Sequence, residues 1–235
     1  MSPRSQDIKQ SGLFGFLAQP DAPTKSGVVL LATIFGVNAF ARGYAETLAR
    51  AGIACAVWDH YEGAPLTTDY EECKKRASVL NDAKMHGAAK AWTDYLTGEL
   101  KLSSIGVIGF CMGGAFALAY VAGGPPGVRA ASINYGGVPK QATSLRAVCP
   151  IVAAYGARDM ILRPHAERLR RHLEELGVAH DVKVYDDAGH SFMTQGNHPM
   201  GRLVLLPMRL GYAPHAAQDA WRRVFAFFDD RLQAA

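Results

Sequence analysis

Three residues of this chain pair a reactive side chain with surroundings suited to presenting it. Cys111 stands in Gly109-Phe110-Cys111-Met112-Gly113, a G-x-C-x-G pattern between an apolar run and a helical one. Asp159 closes Tyr155-Gly156-Ala157-Arg158-Asp159, and His190 lies in Asp186-Asp187-Ala188-Gly189-His190-Ser191-Phe192. A cysteine attacks carbonyl carbon as its thiolate, an imidazole can take the thiol proton, and a carboxylate can hold the imidazole in one orientation. Together the three side chains could carry out acyl transfer.

The spacing supports that chemistry. Nucleophile, acid and histidine occur in the chain order of an α/β-hydrolase triad. A sharp turn from strand to helix forces its central residue into a strained backbone conformation, and flanking glycines remove the side chains that would clash. The same turn puts the sulfur at a helix N-terminus, where the dipole favours thiolate, and lets the Met112 N–H face a developing oxyanion. Taken singly, each residue has a plainer reading. Cys111 could be an inert thiol in a tight turn, Asp159 a helix N-cap, and His190 a loop histidine. Asp186 and Asp187 compete for the acid role, but they share the histidine's own loop. The glycines do not form a G-x-G-x-x-G dinucleotide fingerprint, and no P-loop lysine follows. His190 and His198 lack a helical i, i+4 pair or a third ligand, so no metal site is expected.

Such residues need a scaffold that ends several strands on one edge. Gly27–Ala32 is a continuous apolar run, the pattern of a strand buried on both faces. A helix from Asn38 to Ala51 ends at Gly52, and strands follow at 53–58, 105–109, 130–135, 150–155 and 181–185. Helices are expected over about 70–100, after Cys111, over about 164–176, and around Trp221 to Phe228. Strands alternating with helices predict one doubly wound, mostly parallel sheet with helices on both faces, formed by a single domain over residues 1–235. Cys111, Asp159 and His190 each follow a strand, where reactive groups of open α/β sheets gather.

Composition narrows the function classes. The chain has 235 residues, 49% of them apolar, and a formal charge of +4. Its basic residues are scattered, which speaks against nucleic acid as a partner. Its apolar runs are too short to predict a membrane span. The four cysteines form no C-x-x-C pair, and the polar N-terminus lacks the apolar core of a signal peptide. Cys55 and Cys149 read as buried hydrophobes, Cys73 as part of an exposed charged segment. The expectation is a cytoplasmic protein, monomeric or homodimeric, acting on a small molecule without cofactor.

With these features the sequence resembles the dienelactone hydrolase family of the α/β-hydrolase fold. The resemblance runs from about Gly27 to the last helix and rests on Ile34-Phe35-Gly36-Val37-Asn38, G-F-C-M-G-G, G-A-R-D and D-D-A-G-H-S-F. It implies Cys111 as nucleophile, His190 as base, Asp159 as the orienting acid, and the Ile34 and Met112 N–H groups as the oxyanion hole. Thr33, Phe35, Arg76 and Phe192 are the implied substrate-binding positions.

Two departures bear on substrate. The family's dienelactone-cleaving members carry a glutamate where this chain has Thr33, and an arginine shortly after H-S-F where it has Met193 and Thr194. The missing carboxylate predicts a thiolate that does not wait for substrate. Residues 198–214, with Leu205, Leu206 and Leu210, are long and apolar. They either wall the pocket, favouring a less charged acyl substrate, or pack on the surface or in a dimer contact. A thioesterase, an acyl transferase or a catalytically silent binding homologue are the alternative readings.

Overall fold

The computed structural model describes residues 2–10, 12–195 and 206–233. Eight strands form one sheet in the order β1-β2-β4-β3-β5-β6-β7-β8. They are β1 (Arg4–Gln10), β2 (Leu13–Gln19), β3 (Ser26–Leu31), β4 (Ala54–Trp58), β5 (Ser104–Phe110), β6 (Val128–Asn134), β7 (Ile151–Gly156) and β8 (His180–Tyr185). The β1–β2 and β2–β4 pairs are antiparallel, and the five remaining pairs are parallel. The expected doubly wound, mostly parallel sheet is therefore present.

Helices α1 (Ala39–Arg50), α2 (Tyr70–Ala77), α3 (Asp82–Gly98), α4 (Met112–Ala122), α5 (Arg163–Glu175) and α6 (Pro214–Phe228) cover the sheet. Strand alternation shows that both faces are covered. Gly15 of β2 faces Trp92 of α3, while its neighbour Phe16 lies under Arg42 of α1. On the α1 face Tyr44 packs on Trp221 of α6, with ring centroids 5.2 Å apart. Strands β3, β4 and β5 are buried along their whole length, as their uninterrupted apolar sequences require. No helix among the described residues is long and apolar enough to cross a membrane.

Two local expectations are corrected, and the N-terminus adds a hairpin. The first strand of that hairpin buries Ile8 in the core; its pairing comes from β2 rather than from its own hydrophobicity. The single helix over 70–100 is two. Asp69 caps α2, and the Asn81 side chain accepts from the Lys84 N–H at 2.8 Å to start α3 afresh. Cys73 is buried, because its side of α2 turns inward, toward the Thr67 carbonyl.

Candidate active site

The elbow follows from β5 meeting α4 with no room between them. Cys111 has φ 58° and ψ −120°, a backbone state L-residues rarely adopt. A Cβ on Gly109 would lie 2.1 Å from the Gly113 carbonyl oxygen, and one on Gly113 would lie 2.1 Å from that of Leu31. Both glycines are thus demanded by backbone contact. The Cys111 N–H donates to the Asn134 carbonyl at 3.0 Å, tying the turn to β6, and the side chain is half-buried.

Asp159 and His190 come from the turns after β7 and β8, and both are almost fully buried. Asp159 Oδ1 accepts the N–H groups of Ile161 and Leu162 at 3.1 and 3.0 Å, which leaves Oδ2 facing His190 Nδ1 at 2.8 Å. His190 Nε2 lies 3.0 Å from Cys111 Sγ. The three side chains form one line, carboxylate to imidazole to sulfur. Asp186 and Asp187 are exposed on the histidine's own loop.

Burial works most strongly against charge at both ends of the Cys111–His190 contact, yet each group favours the other's charged form. For Cys111, the charge and hydrogen bond of His190 and the Met112 N–H together outweigh burial and lower the thiol pKa. For His190, the Cys111 thiolate and the Asp159 bond outweigh burial and raise the imidazole to about 9. Each group thus shifts the other toward its charged form, thiolate for Cys111 and imidazolium for His190.

Ile34 and Phe35 are half-buried in the turn after β3, and among the described residues the Ile34 N–H has no acceptor. Thr33 Oγ1 accepts the Phe35 N–H at 3.4 Å. Two of the expected substrate-binding residues make contacts within the protein. Phe192 is fully buried between Tyr135 and Tyr185, with centroids 5.6 and 5.1 Å away, because its chain turns inward after His190. Arg76 donates to Glu72 and to the Pro65 carbonyl and covers the Tyr61 ring at 5.2 Å, so it braces a wall of the site.

Residues 198–205, Leu205 among them, lie outside the described residues. Of the rest of that apolar segment, Leu206 is exposed, and the backbone beyond it supports the histidine loop. The His190 N–H donates to the Met208 carbonyl at 2.7 Å, and the Gly211 N–H donates to the His190 carbonyl at 3.3 Å. Tyr135, edge-on to the imidazole at 5.1 Å, escaped the sequence reading although it ends a strand at the right sheet edge. Beside α4 a cavity of about 440 Å³ is lined by Ala115, Leu118, Ala119 and Leu145 together with Asp82, His86 and His165, and none of the three triad residues lines it.

Comparison with known proteins bears on the family and the fold. The dienelactone hydrolase family pattern matches residues 13–232. The carboxymethylenebutenolidase of Rhodococcus opacus is 28% identical over 232 residues, covering 92% of this chain and 85% of that protein. A structure described as m3DLH superposes with a TM-score of 0.86 at 23% identity, covering 99% of this chain and all of that one. The dienelactone hydrolase of Anabaena variabilis superposes with a TM-score of 0.73 at 21% identity, covering 99% and 100%. At these identities the two structures speak for the α/β-hydrolase fold.

Proposed function

Since the chain belongs to the dienelactone hydrolase family and is an ester or lactone hydrolase, we propose that it works through Cys111 and a thioester acyl-enzyme. The observation that carries this reading is the unbroken line from Asp159 Oδ2 through His190 to Cys111 Sγ, with steps of 2.8 and 3.0 Å.

The thiolate attacks the carbonyl carbon, and the oxygen takes up the displaced electron pair. The Ile34 and Met112 N–H groups receive that oxyanion. When the tetrahedral species collapses, the C–O bond breaks and the His190 imidazolium gives its proton to the leaving alkoxide, which in a lactone remains part of the same molecule. Neutral His190 then takes a proton from water. The resulting hydroxide attacks the thioester, the C–S bond breaks as the thiolate returns, and the carboxylic acid product departs and gives its proton to solvent. Asp159 keeps the imidazole aligned throughout. With Thr33 in the turn rather than a carboxylate, ionisation of Cys111 rests on His190 and the Met112 N–H.

A panel of lactones, carboxylic esters and thioesters assayed with wild type, Cys111→Ala and Cys111→Ser tests the proposal, with mass spectrometry for an acyl adduct. Turnover lost in Cys111→Ala and an adduct trapped on Cys111 are expected. Full activity in Cys111→Ala would refute the cysteine mechanism, and turnover of thioesters alone would favour the thioesterase reading.

A further inference from the structure

The turn that carries Ile34 is gripped by a second loop to which no role has yet been given. Residues 59–63 follow β4 and form a turn around Asp59. Asp59 Oδ1 accepts the Tyr61 N–H at 3.0 Å, Oδ2 accepts the Gly63 N–H at 2.8 Å, and the Asp59 N–H donates to the Phe14 carbonyl at 2.8 Å. This turn is thereby fixed to β2, and it aims Tyr61 at the loop after β3. The Tyr61 hydroxyl donates to the Ile34 carbonyl.

Packing restricts the arrangement further. Tyr61 is buried, with the His60 ring 4.3 Å from it on one side and the Arg76 guanidinium over its ring. His60 is also buried, and burial lowers its pKa to about 4, so it packs as a neutral ring. Gly36 has φ +70°, and a Cβ there would meet the Tyr61 ring at 2.9 Å. At the opposite end of the Ile34–Phe35 peptide, the Phe35 N–H donates to Thr33 Oγ1, while the Gly36 N–H donates to the Thr33 carbonyl at 3.1 Å. One peptide unit is thus held at its oxygen by Tyr61 and at its nitrogen by Thr33. The neighbouring peptide carries the Ile34 N–H.

We propose that Tyr61 is a positioning residue for acyl transfer: by holding the Ile34 carbonyl, it keeps the Ile34 N–H directed at the oxyanion. This rests on the reading of Ile34 as an oxyanion donor given above. Misplacing such a donor by about an ångström can cost on the order of a hundredfold in rate. Arg76 acts through Tyr61, stiffening its ring, and His60 packs on that ring while also meeting the Ile34 backbone.

The test compares wild type with Tyr61→Phe in two reactions of Cys111. Hydrolysis of a p-nitrophenyl ester needs an oxyanion hole, whereas alkylation by iodoacetamide displaces iodide at a saturated carbon and needs none. Tyr61→Phe is expected to lower kcat by roughly 10- to 100-fold, leave KM within about twofold, and leave the rate and pH profile of alkylation unchanged. Affinity for a trifluoromethyl ketone, which forms a tetrahedral adduct with the thiolate, should fall along with kcat. Should Tyr61→Phe fail to fold, Thr33→Val, which removes the acceptor at the other end of the same peptide, should give the same selective loss. Unchanged kcat, or equal loss of hydrolysis and alkylation, overturns the positioning role while wild-type turnover still supports the enzyme reading. A wild type that hydrolyses no ester overturns both.

Discussion

Replacing His190 with glutamine removes the charge that holds Cys111 ionised, and the effect can be read without any substrate. At the 3.0 Å separation of Sγ and Nε2, two unit charges attract by ~5 kcal/mol at an effective dielectric of about 20. That corresponds to roughly four pKa units before the opposing cost of burial. The thiol pKa lies below its usual range and that of the imidazole is raised to about 9, so the two titrate as a coupled pair. Below the lower transition both groups are protonated and the sulfur is unreactive. Between the two transitions thiolate faces imidazolium, and above about 9 the imidazolium loses its proton. In wild type, iodoacetamide alkylation of Cys111 should therefore have its first inflection below the free-thiol value, with a second, smaller change near pH 9. In His190→Gln the thiol should return to at least the ordinary value of ~8.5, leaving only about 3% thiolate at pH 7 and slowing alkylation there by roughly 30-fold or more. A wild-type inflection at the free-thiol value, or equal rates at pH 7 in the two proteins, would refute the ion-pair argument.

Two further outcomes concern the scaffold. Gly113→Ala puts a Cβ 2.1 Å from the Leu31 oxygen and 2.4 Å from that of Ala32; it should prevent folding or cost upwards of ~4 kcal/mol in chemical denaturation. Asp219, held below the usual carboxylate range by Lys183, Arg222 and Tyr185, adds stability above the unfolded carboxyl pKa of ~3.9, and this is lost as pH falls through its lower folded value. Asp219→Asn should lower Tm by about 2–4 °C at pH 7, since the cluster is largely solvated, and should converge with wild type in acid.

The parts of the site legible in the sequence were those that local chemistry dictates. Gly109 and Gly113 flank Cys111 because backbone touches backbone there, and a contact that strict leaves a pattern of residue types. Asp159 and His190 were readable because each lies in the turn that follows a strand, and strand ends on one sheet edge fix where side chains meet. Tyr61 and Tyr135 also follow strands, but an aromatic residue there looks like core, and only the fold shows which backbone or ring it meets. The partners of Arg76 were hidden for a related reason: only the fold shows that Glu72 and the Pro65 carbonyl engage it. The β1 strand, with its polar sequence, becomes a strand through pairing with β2, which no local propensity encodes.

The order of the sheet also governs what the protein can do in a crowded solution. Its two open edges are β1 and β8, and an edge strand is a template on which a second chain can add. Both carry charges along their length: Arg4, Asp7 and Lys9 on β1, and Asp181 and Lys183 on β8. Lys183 and Asp181 are further tied down to Asp219 and Arg223 of α6. A strand from another chain laid along either edge would have to desolvate those charges. In-plane growth is thereby opposed at both ends, so neutralising Lys9 and Lys183 together should make a solubility fault appear before any loss of catalysis.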